Sequence, residues 1–197
     1  MRRHRQLVTL FVTASMTAAA LLAGAPAHAD SDVSADARRD VLWTSRDGSE
    51  RQIVPSAALG DIVQVRTQHT TQAVRVWVTY RALVTGDQYL YAAVGTRQIY
   101  GAAVLFHVSK RHPHQKPRLL YLGSAEDWTC PRASWDLSYA RNQLYVRVPR
   151  QCLANPDRVH VAAAWFRQGR AGRKSDFAFL DGTTPDVAAF GPWVASG

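Results

Sequence analysis

Hydrophobic and polar residues alternate most strictly between Gln72 and Leu83. Val74, Val76, Val78 and Tyr80 fall on one side of the chain; Arg75, Trp77, Thr79 and Arg81 fall on the other. A period of two with one apolar face predicts a strand lying on a core. Ile62–Thr67 precedes it, with Val63 and Val65 expected inward and Gln68–Thr71 as the connecting turn. Val41–Thr44 and Glu50–Val54 flank Asp47-Gly48, and Asp-Gly between apolar arms predicts a hairpin. Further strands are expected at Tyr89–Val94, Gly101–Ser109, Arg118–Leu122, Trp135–Tyr139, Gln143–Val148, Arg158–Phe166 and Phe177–Leu180. Thr85-Gly86-Asp87, His112-Pro113, Gly123-Ser124 and Asn155-Pro156 punctuate them as turns. No segment sustains a helical period; a single turn at Ser124–Trp128 is the one local helix expected. About eight to ten short antiparallel strands predict an all-β sandwich.

The first 29 residues follow a different pattern. Arg2, Arg3 and Arg5 precede an apolar run from Leu7 to Gly24, and Ala27-His28-Ala29 supplies a small-x-small site. This is the layout of a cleavable secretory signal peptide rather than a membrane anchor. The expected organisation is therefore a signal at 1–29, a polar flexible lead at 30–39, and a single β-sandwich domain at 40–197. Cleavage leaves 168 residues with a formal charge of +6 instead of +9, because the signal carries three Arg and no acid. Export also decides the reading of Cys130 and Cys152, since oxidising compartments favour a disulfide over a metal or redox pair. In a tight hairpin centred on Arg141, opposed residue numbers sum to about 282, as do Cys130 and Cys152. A bridge closing that 22-residue interval is worth about 3 kcal/mol in the chain-entropy model.

Candidate chemistry is sparse. There is no Gly-x-Ser-x-Gly elbow, no His-Glu-x-x-His and no cysteine cluster. His112 and His114 flank Pro113 in a basic, solvated loop. Asp30, Asp32, Asp36, Asp40 and Asp47 crowd the start of the mature chain without the ordered spacing of a calcium loop. Neither a metal nor a cofactor is predicted, and no catalytic residue is assigned. The chain has only two Glu, Glu50 and Glu126, which gives little support for a paired-carboxylate glycosidase. The positive charge is 21 Arg to three Lys and is scattered along many strands, which argues against specific nucleic-acid binding.

Aromatic residues on polar strand faces are more informative. Trp77 lies between Arg75 and Thr79, and Tyr145 lies beside Arg147. Flat rings can stack on sugars while guanidinium groups supply hydrogen bonds and anion contacts. These four residues form the candidate ligand face of a secreted, non-enzymatic binding module for a glycan or cell-wall polymer, held to no membrane once the signal is removed. The alternative is a small secreted hydrolase whose site assembles in space where His69, His107 or His160 meets an Asp or Ser.

Several motifs follow one another along the chain. These are Gly60-Asp61-Ile62, His69-Thr70, the Val74–Tyr80 strand, Cys130-Pro131, Val146-x-Val148-Pro149-Arg150-x-Cys152-Leu153-x-x-Pro156 and Phe190-Gly191-Pro192-Trp193-Val194. Together they resemble a group of small secreted bacterial proteins of unknown function. The resemblance spans most of the mature chain and implies an all-β fold with one disulfide; it implies no activity.

Overall fold

The computed structural model describes residues 30–97, 101–122, 126–179 and 189–197. The expected signal peptide lies outside them. The strands run β1 (Asp30–Ala35), β2 (Leu42–Ser45), β3 (Arg51–Ile53), β4 (Ile62–His69), β5 (Ala73–Tyr80), β6 (Gln88–Thr96) and β7 (Ala102–Val108). They continue with β8 (Arg118–Tyr121), β9 (Ser134–Ser138), β10 (Gln143–Pro149), β11 (Arg158–Gln168), β12 (Gly172–Phe177) and β13 (Val194–Ala195). A five-stranded sheet has the order β1-β4-β5-β10-β9. An eight-stranded sheet has the order β3-β2-β12-β11-β6-β7-β8, with β13 sharing an edge of β11 with β12. All these pairings are antiparallel.

One apolar core joins the two sheets. Val65, Val74, Val76, Val78 and Val146 from the smaller sheet pack in the same cluster as Leu90, Val104, Phe106 and Trp165 from the larger. The alternation of β5 accounts for its part: Val74, Val76, Val78 and Tyr80 are all buried, and the residues between them are only half-buried. The Asp47-Gly48 hairpin is present, with Leu42 opposite Ile53 and Gly48 at φ 78°, a conformation glycine adopts without steric cost. The disulfide joins Cys130 to Cys152 with Cα atoms 5.9 Å apart. Cys152 sits on a 3-10 turn, Arg150–Leu153, that follows β10.

Four expectations are corrected. Residues Asp30–Ala35 of the flexible lead form β1, the edge strand paired with β4. Main-chain hydrogen bonds hold an edge strand without an apolar side-chain pattern, so its polar composition concealed it. Val63 is half-buried rather than inward, because an irregularity between Ile62 and Gln64 shifts the phase of β4. Ile62 and Val65 take the buried positions instead. The strand expected at Phe177–Leu180 lies earlier, at Gly172–Phe177, and Leu180 is outside the described residues. Glu126–Trp128 is not helical: the chain runs back along β8, with Asp127 bridging Leu120 and the Trp128 amide donating to Leu119 at 2.7 Å.

Candidate functional site

Cross-strand register places the four sequence-predicted residues on one face. Trp77 of β5 is directly opposite Tyr145 of β10, and Arg75 is directly opposite Arg147. The rows continue across the five-stranded sheet as Val33, Arg66, Trp77, Tyr145, Asp136 and as Ser31, Gln68, Arg75, Arg147, Ser134. Direct cross-strand neighbours share a face, and this is the face turned away from the core. The Trp77 and Tyr145 rings lie 5.2 Å apart at 40°, and the Arg66 guanidinium sits 5.1 Å from the Trp77 centroid. Neither ring belongs to the core cluster. Trp77 is therefore half-buried by its neighbours on the sheet surface.

Opposed arginines repel, which makes the Arg75–Arg147 pair costly by itself. Arg75 donates to the Gln68 amide oxygen at 2.9 Å and Arg147 to the Arg132 carbonyl at 3.2 Å. Among the described residues no carboxylate forms an ion pair with either. Along the same face, Asp136 is held by Arg141 at 2.6 Å. The surface thus presents two aromatic rings flanked by Arg66, Arg75 and Arg147, none of which forms an ion pair among the described residues.

A second constellation lies where the two sheets meet, around Gly60-Asp61-Ile62. Gly60 has φ +80°, and a Cβ there would fall 2.0 Å from the Trp165 ring, so only glycine lets the chain lie against that indole. Asp61 is fully buried; it accepts from Arg81 at 3.1 Å and from the Arg39 amide at 3.2 and 3.3 Å. The Ile62 amide donates to Asp176 at 2.5 Å, a bond from one sheet to the other. Asp36, Asp40 and Asp176 each bring a carboxylate oxygen within 4.8 Å of the others. Burial is the main cause that pushes Asp36 up to about 7, Asp40 to about 6 and Asp176 to about 8. Asp61 is also raised by burial, against the pull of the Arg39 amide and Arg81. Three such oxygens have the chemistry to hold a hard cation or to share protons. Sequence reasoning noted Asp36 and Asp40 but missed Asp176, which reads as an ordinary polar position in Ser175-Asp176-Phe177.

The histidines of the hydrolase alternative are dispersed. His69 is buried, with Nδ1 against the Val194 carbonyl at 3.2 Å. His107 is exposed and stacks on Tyr89 at 4.4 Å. His160 is held between Phe190 and Trp193, with ring centroids at 4.0 and 3.9 Å. No hydrogen bond among the described residues joins any of the three to a Ser or a carboxylate. The Phe190-Gly191-Pro192-Trp193-Val194 motif encloses His160 and supplies β13. Among the described residues no helix is long and apolar enough to cross a membrane. Comparisons with protein-family models, with curated proteins and with solved structures each find no match.

Proposed function

We propose that this chain is an exported, non-enzymatic binding module built as a β-sandwich, and that its five-stranded sheet receives a glycan or cell-wall polymer. The observation that carries this reading is the Trp77–Tyr145 pair, in register and outside the core, with Arg75 opposite Arg147 in the next row. A sugar ring stacks on an aromatic face, and an acidic substituent relieves the repulsion between two opposed guanidinium groups. Export is supported by the basic, apolar and small-residue order of positions 1–29 and by the disulfide, which suits an oxidising compartment.

The test is co-sedimentation of the purified protein with insoluble peptidoglycan, chitin and xylan. Retention on at least one polymer is expected, weakened roughly tenfold by Trp77→Ala, the loss of about 1.4 kcal/mol of contact. Tyr145→Ala is expected to weaken it in the same sense. No retention on any polymer, or retention indifferent to both substitutions, overturns the reading.

A further inference from the structure

Three cavities adjoin at one end of the larger sheet, around the β11–β12 hairpin. The first, of about 490 Å³, lies between Trp43, Ala57–Leu59 and the hairpin residues Arg167, Arg170 and Lys174. The second, of about 320 Å³, lies on the outward face among Tyr89, Leu105, Phe166, Gln168 and Arg173. The third, of about 380 Å³, is lined by Gly86, Asp87, Lys110, Arg111 and again Arg167 and Gln168. Gln168 borders all three, and Arg167 borders the first and the third, so the cavities surround the hairpin tip.

The charge there is concentrated, unlike the scatter along the rest of the chain. Arg167, Arg170, Arg173 and Lys174 occur within eight residues that contain no acid. The β7–β8 loop brings Lys110 and Arg111 to the third cavity, which shares Arg167 with the first. Two of the chain's three lysines are thus gathered here. Asp87 is the single carboxylate among the residues lining the three cavities. Among the described residues no ion pair engages Lys110, Arg111, Arg167, Arg170 or Lys174. Clustered cations in concave surface attract and hold a ligand that carries repeated negative charge.

The aromatic environment selects among polyanions. Tyr89 is stacked on His107, and Phe166 meets both Phe177 and the Arg173 guanidinium, which leaves half-buried Trp43 as the one lining ring among the described residues without a ring or cation partner. Single-stranded nucleic acid takes much of its affinity from stacking bases on open aromatic faces. An acidic polysaccharide needs chiefly charge and hydrogen-bond donors. We propose that the β11–β12 hairpin and the β7–β8 loop form a second binding site, separate from the Trp77 face, for an anionic polysaccharide.

The probe is polygalacturonate, with neutral dextran, oligo-dT and a DNA duplex as comparisons, titrated against the purified protein at low and moderate salt. Combined Arg167→Gln, Arg170→Gln and Lys174→Gln is expected to weaken polygalacturonate binding roughly tenfold, about 1.4 kcal/mol. It is also expected to flatten the salt dependence. Arg132→Gln, Arg141→Gln and Arg158→Gln remove the same charge from exposed positions elsewhere and are expected to change binding less than about twofold. The milder single variant Arg170→Gln, at an exposed hairpin position, checks that any loss is not a folding defect. Equal weakening by the two triple variants overturns the site in favour of diffuse charge. Absence of polygalacturonate binding overturns it, as does tighter binding of either nucleic acid. A larger loss from Trp77→Ala than from the hairpin triple assigns polygalacturonate to the other face and likewise overturns it.

Discussion

The two sheets are built from the same alternation, yet their outer faces differ. On the larger sheet, Ala93, Ala103 and Ala162 face away from the main core and are still buried, packed with Tyr91, Leu120, Leu122 and Phe190. On the smaller sheet, the corresponding face carries Arg66, Arg75, Trp77, Tyr145 and Arg147 and has no such apolar cluster among the described residues. Small apolar residues on an outward face mark a surface that other parts of the chain cover. Long polar and aromatic residues in direct register mark a surface on which each side chain keeps partial contact with solvent. A strand pattern alone therefore does not decide what an outer face is for; the size and charge of the residues between the core positions do.

The largest expected effect comes from reversing that difference. Ala162→Asp places an unpaired charge under the covering residues and is expected to cost roughly 3 kcal/mol or more in denaturant unfolding. Thr79→Asp, on the open face, is expected to cost less than about 1 kcal/mol. Similar losses at both positions would erase the distinction between covered and open faces. Replacing both Cys130 and Cys152 by Ala is expected to cost about 3 kcal/mol, with exchange protection falling first in β9 and β10, next to the bridge.

The third effect is a pH dependence at the junction between the sheets. The ordinary Asp value is 3.8, whereas Asp40, Asp36 and Asp176 are raised to about 6, 7 and 8 in the folded protein. The folded state thus holds protons that the unfolded chain has lost, so stability is full below about pH 4 and falls as pH rises through 6 to 8. The thermal midpoint is expected to be lower at pH 8.5 than at pH 5. Asp176→Asn, which keeps an acceptor for the Ile62 amide, is expected to flatten that fall. An unchanged pH profile in this variant would remove Asp176 from the linkage. The smallest stability effect is expected from Trp77→Ala, under about 1 kcal/mol, since the ring lies outside the core.

Much of the fold was legible locally. The β5 alternation, the Asp47-Gly48 hairpin and the cysteine pairing are all encoded by neighbours in the chain. The β9–β10 ladder sits one residue from the register assumed, with Leu144 opposite Leu137, yet the bridge forms because Cys152 lies on the turn after β10. Edge strand β1 was illegible because its partner, not its own side chains, defines it. Register brings Trp77 and Tyr145, each standing out between core positions in the sequence, side by side on the outer face. The acidic junction was hidden because Asp36, Asp61 and Asp176 meet through sheet-to-sheet packing, which no short window of sequence contains.

If the outer face of the smaller sheet receives the ligand, its rings carry retention, while the larger sheet's aromatic residues chiefly serve structure. The direct comparison is between Trp77→Ala, half-buried on the smaller sheet, and Trp193→Ala, exposed just before β13 of the larger sheet, in co-sedimentation with peptidoglycan, chitin and xylan. The expected result is that Trp77→Ala loses retention roughly tenfold while Trp193→Ala stays within about twofold of the parent. Equal retention by parent and Trp77→Ala, or a greater loss from Trp193→Ala, would contradict it.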